Sequence, residues 1–203
     1  MITPDYYIQK MLSEARERSL ASEDEIMRSK RRAWWWLNAT VTPNDWEEKG
    51  VLGTYVSTYQ YVSSCVSRVY FSEKPDNYDK DCLGLYTPSR DRTADTIWVW
   101  SGLNWKGRIR TLIHELAHCL THPSSLDVFT STDIGQMYRE QAAEAVAYVV
   151  CKWLGVEVHD YSQEYIALCM KGANRHTIKV EGLVRVAMTI YCGINARRIR
   201  ING

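Results

Sequence analysis

Apolar residues recur along this chain at two spacings, and each spacing predicts its own elements. Between Trp105 and Thr121, Leu112, Ile113, Leu116, Ala117 and Leu120 fall three and four apart, which predicts a largely buried helix. A second long helix is expected over about 135–154, closed by Gly155. Ile178, Val180, Leu183, Val184, Val186, Ala187 and Ile190 predict a last apolar helix over 176–192, and Asp160-Tyr161-Ser162 opens a shorter one that runs through Met170. Near the start, Ile8, Met11, Leu12 and Ala15 predict a helical region over 4–30, with Ser22 before Glu23-Asp24-Glu25 marking a second helix start.

Extended structure is expected where β-branched and aromatic residues cluster between turn signals. Cys82 to Tyr86 and Thr96 to Trp100 predict strands around a polar loop at 87–95, and Tyr59 to Phe71, rich in Val, Tyr and Ser, favours a further extended segment. Ser101-Gly102-Leu103-Asn104 breaks the last strand, Pro123 ends the 105–121 helix, and residues 123–135 are expected to form a loop. Residues 38–56 carry turn residues and predict no element. The expected architecture is therefore α+β, with a small, mainly antiparallel sheet preceding the helix at 105–121. No repeat or linker divides the chain, so one domain is expected over 1–203. It comprises a helical or irregular N-terminal region (1–58), a core (59–172), and a C-terminal helix with a basic tail (173–203).

Composition narrows the function classes. A chain of 203 residues with 45% apolar and 24% charged content can bury a real core as a globular protein. A net charge of +1 gives no global attraction to nucleic acid or anionic lipid. The basic clusters Arg28 to Arg32, which precede Trp34-Trp35-Trp36, and Arg197 to Arg200 are short and isolated, so they read more simply as solvated ends than as nucleic-acid surfaces. No apolar run reaches membrane length and no signal peptide is read, so a cytoplasmic location is expected, with no membrane partner. Six cysteines without a C-x-x-C pair suggest reduced, mostly buried thiols.

The chemistry concentrates in His114-Glu115-Leu116-Ala117-His118, an H-E-x-x-H pattern inside the apolar helix. Residues four apart share a helix face, so His114 and His118 can offer imidazole nitrogens to one point, and Glu115 can act as base on a water there. Buried in an apolar helix, these three groups are costly unless something engages them, and Zn²⁺ suits them. A catalytic zinc usually takes a third protein ligand from a neighbouring element. Glu140 and Glu144 share a face of the next long helix among small residues. Glu140 is expected as ligand and Glu144 as a hydrogen-bond partner of a ligand histidine, on the pattern of metallopeptidases whose ligand Glu is followed four residues on by an acidic or amide residue. The reversed assignment, with Glu144 as the ligand, stays open. His122, Tyr148 and Tyr161 are secondary candidates near the site, each read more simply as packing or helix-end residues, and Cys119 points about 100° away from His118 as a buried thiol.

With these residues in place, the segment Arg110-Thr111-Leu112-Ile113-His114-Glu115-Leu116-Ala117-His118, preceded by the two strands, resembles the ImmA/IrrE family of zinc metallopeptidases. The run from Glu140 to Cys151, followed by Leu154-Gly155 and Tyr161-Ser162, is similar to the metalloprotease domain of ArdC-type antirestriction proteins; together the match covers roughly residues 80–170. The resemblance implies a zincin-like fold and a zinc peptidase of the kind carried by phages and other mobile elements. Such an enzyme acts in the cytoplasm on a protein partner, a transcriptional repressor among the candidates. ImmA/IrrE members often carry Asn where this chain has Glu144. The alternative is a zincin-fold regulatory or antirestriction protein that works by binding protein or DNA with little or no peptidase activity. The separate single-strand DNA-binding domain usual in ArdC proteins is not expected in residues 1–80.

Overall fold

The computed structural model describes residues 48–76, 78, 82–90, 93–121, 136–156 and 179–202, together with residues 9, 10, 13, 14, 16–18, 20–22, 24 and 25. In chain order the elements are α1 (Glu48–Cys65), β1 (Arg68–Ser72), β2 (Gly84–Thr87), β3 (Thr96–Trp100), α2 (Trp105–Leu120), α3 (Gln136–Leu154) and α4 (Val180–Asn202). The fold is α+β: helices packed with one small mixed sheet.

The apolar stretch at Ile97, Trp98 and Val99 explains the sheet order, which is β1-β3-β2. A strand buried on both faces belongs in the middle. β3 pairs antiparallel with β2 and parallel with β1, where Arg68 stands opposite Thr96 and Ser72 opposite Trp100. The expectation of a mainly antiparallel sheet is thus corrected to a mixed one. Alternation reports which face of a strand is buried, not which way it runs.

α2 is the centre of the core. Asn104 caps its start, its Oδ1 accepting from Gly107 N at 2.8 Å, and the Thr121 hydroxyl donates to Ala117 O at its end. Ile109, Leu112, Ile113 and Leu116 are fully buried, each burial contributing roughly 1.5–3 kcal/mol. α2 packs on β2, β3, α1 and α3, and α4 closes the core against α1 and α3. α3 presents Ala142, Ala143, Ala145 and Ala147, all fully buried, so its backbone can approach closely. It ends at Gly155, whose φ of +75° suits a residue without Cβ.

Two expectations fail for stated reasons. Tyr59 to Cys65 is helix rather than strand, as part of α1, and the expected boundary between residues 58 and 59 lies inside that helix. Val51, Tyr55, Val62 and Val66 pack at helical spacing, while Thr54, Ser57 and Thr58 turn their hydroxyls back to the carbonyls of Gly50, Gly53 and Thr54. Those hydrogen bonds let polar side chains sit buried on the same face. At the other end, the basic tail is not a free terminus but the last turns of α4. There Arg197 donates to Ser64 Oγ at 2.7 Å and lies over the Tyr61 ring.

In the N-terminal region, residues 9, 10, 13, 14, 16–18, 24 and 25 are helical, and Ser22 Oγ accepts from Glu25 N as a helix start requires. The apolar residues Ile8, Met11, Leu12 and Ala15, the Trp34-Trp35-Trp36 segment, the loop at 123–135 and the expected helix at 160–170 lie outside the described residues. Of the five described cysteines, all free, Cys119 and Cys151 are buried, Cys82 is partly buried, and Cys65 and Cys192 are exposed; Cys169 lies outside the described residues. Among the described residues, no helix is long and apolar enough to cross a membrane.

Candidate metal centre

His114 and His118 stand one turn apart on α2, and Glu140 reaches them from α3. The two Nε2 atoms are 3.1 Å apart, and the Glu140 carboxylate places Oε2 3.3 Å from His114 Nε2 and Oε1 3.3 Å from His118 Nε2. Tetrahedral zinc with ligand bonds of about 2.0–2.1 Å holds its donors about 3.3–3.4 Å apart. In this His114–His118–Glu140 triangle the carboxylate meets the two imidazoles through different oxygens. One donor atom from each residue lies within 4.8 Å of the others, and two neutral-capable imidazoles with one carboxylate match zinc's donor chemistry. The residues present therefore fit a zinc ion.

Glu144 occupies a different place. One turn beyond Glu140, it lies behind the triangle, its Oε2 accepting from His114 Nδ1 at 2.8 Å and from the guanidinium of Arg110. A carboxylate only accepts, so His114 carries hydrogen on Nδ1 and turns Nε2 to the triangle. All three groups of this rear contact are buried.

The charges around the triangle hold a proton. Burial lowers the proton affinity of His114, but the carboxylates of Glu140 and Glu144 outweigh it and push the imidazole up to about 10. Burial likewise raises Glu140, yet His114 and His118 hold it far below the usual carboxylate range. Without metal, the site is thus an imidazolium facing a carboxylate.

Glu115 points the other way, to the sheet. Its Oε2 accepts from Tyr86 N at 2.7 Å. Leu83 O accepts from Trp100 N on the β3 side, so in the antiparallel register Gly84 and Tyr86 turn their backbone groups to the outer edge of β2. β2 can come this close because residue 84 is glycine: a methyl group there would overlap the Thr111 methyl and stand 2.9 Å from Glu115 Oε1. The Tyr86 hydroxyl in turn donates to Asp95 Oδ2 at 2.6 Å, which fixes the strand beneath Glu115.

The structure thus brings His114, His118 and Glu140 together, with Glu144 behind His114 and the Glu115 carboxylate turned to β2. Of the secondary candidates, Tyr148 is packed in the core and Cys119 lies 3.9 Å from Asp95 Oδ2, while His122 and Tyr161 fall outside the described residues. Sequence reasoning gave no role to Arg110, Gly84 or Tyr86. Arg110 left a signal, because a cation one turn before His114 on a buried helix needs a counter-charge. Gly84 and Tyr86 left none, since a backbone N–H is present at nearly every position.

No protein-family model matches the chain, and no curated protein and no solved structure matches it.

Proposed function

We propose that the chain is a zinc-dependent metallopeptidase of zincin-like architecture. In this reading His114, His118 and Glu140 hold the metal, Glu144 orients His114 and Glu115 is the general base. The observation that carries it is the clustering of His114, His118 and Glu140, one donor atom from each lying within 4.8 Å of the others, with Glu115 next to His114 on α2. A closed structural site has no use for Glu115, whereas an open one needs a base. Bound there, zinc would supply Lewis-acid chemistry, acidifying a water and polarising a carbonyl.

The chain's own residues supply the rest. Glu115 takes a proton on its carboxylate and delivers it to the leaving amine. Its anchorage on Tyr86 N sets the direction from which it works. The resemblance to ImmA/IrrE and ArdC-type proteins makes the substrate a cytoplasmic protein, with a transcriptional repressor encoded nearby as the first candidate.

Glu115→Gln tests the reading. It is expected to retain zinc while lowering the cleavage rate of a responsive repressor about 10²–10⁴-fold. Full biological activity of a zinc-loaded Glu115→Gln protein would favour the binding-protein alternative instead.

A further inference from the structure

We infer that Arg110 is a positioning residue of the metal site, acting through Glu144 to aim His114 Nε2 at Glu140 and His118. The inference rests on the proposed metal site. Its geometric basis is one oxygen: Glu144 Oε2 accepts both from Arg110 Nη2 and from His114 Nδ1.

The arrangement has a physical logic. Arg110 and His114 lie one turn apart on α2, so both reach the same atom of a residue on α3. Glu144 is fully buried, and the Arg110 and His114 side chains nearly so. In such a place a carboxylate held less firmly could rotate, and the imidazole it holds would rotate with it. A guanidinium restricts that rotation: it is planar, always charged, and donates in a fixed direction. His114 Nε2 must stay within 3.1–3.3 Å of its two partners for the triangle to exist, so a small turn of the ring opens the site. The close approach of α3 through its alanines leaves little room for the pair to settle elsewhere.

A buried ion pair that merely joins α2 to α3 would show the same distances, so the test needs a readout that such glue would not move. On ¹⁵N-histidine-labelled protein without metal, the Nδ1 proton of His114 is expected as a slowly exchanging resonance. Arg110→Lys keeps the charge but replaces the planar fork by a rotating point donor. It is expected to broaden or speed the exchange of that resonance and to weaken zinc binding about tenfold in a chelator competition, as loss of an outer partner does. In a Glu144→Gln background the same change should alter zinc affinity by no more than about twofold, because the route through Glu144 is already cut.

If Arg110→Lys does not fold, Arg110→Gln replaces it, expected to weaken zinc binding about tenfold with Glu144 intact and by no more than about twofold in the Glu144→Gln background. Arg110 is only structural if Arg110→Lys lowers the melting temperature but leaves the proton resonance and zinc affinity as in the wild type. The inference is also overturned if removing Arg110 weakens zinc binding equally with and without Glu144. A wild-type chain that binds no zinc would remove the metal reading alone, since the proton exchange is read on the metal-free protein and still decides the role of Arg110.

Discussion

Glu140 and Glu144 are the same residue type, one turn apart on one face of α3, yet they stand in opposite environments. Glu140 is 21% exposed and spans the Nε2 atoms of two histidines, whereas Glu144 is fully buried and serves His114 Nδ1 and Arg110. Glu140 faces the place where an ion would sit; Glu144 faces protein. One helical turn thus separates a carboxylate that joins two imidazoles from one that braces a single ring from behind. Burial and the identity of the facing nitrogen distinguish the two, where residue type does not.

Stability should separate them most. Glu144→Ala leaves the Arg110 cation buried without this carboxylate and is expected to cost about 3–5 kcal/mol in metal-free urea unfolding. Glu140→Ala removes a partly exposed partner, leaves no buried arginine behind, and should cost less in the same measurement. Equal losses would break the comparison.

The pH dependence sharpens it. His114, at about 10 in the folded metal-free chain, is raised above the ordinary imidazole value of 6.5, first against burial and then by Glu140 and Glu144. Its contribution to stability is therefore fully present below about pH 6.5 and is lost as pH rises toward 10. Zinc needs the neutral imidazole, so binding expels that proton. Zinc affinity should accordingly rise about tenfold per pH unit between pH 7 and 9, as read by chelator competition. A flat profile would mean that His114 is already neutral.

How much of this could be read from residues alone follows from what each element depends on. α2 and β3 were legible because their signals are local: an i, i+3, i+4 apolar run and a continuous apolar strand. The helix carrying Glu140 and Glu144 was legible for the same reason. α1 was not, because its buried face includes Thr54, Ser57 and Thr58, and only tertiary packing makes those residues inward-facing. The parallel pairing of β1 with β3 joins elements that no local pattern relates. At the site, the histidine spacing was legible, but the separate positions of the two glutamates depend on how α3 lies across α2. The contact between Glu115 and Tyr86 N depends on a strand edge, and backbone groups leave no trace in residue type.

The central claim is that Glu140, and not Glu144, completes a metal site with His114 and His118. Its most direct test is the zinc content of the wild type, Glu140→Gln and Glu144→Gln after dialysis against a weak chelator. The account predicts one zinc per wild-type chain, retention with affinity weakened about 10–100-fold in Glu144→Gln, and a larger loss in Glu140→Gln. Zinc held at wild-type strength by Glu140→Gln and lost from Glu144→Gln would contradict it.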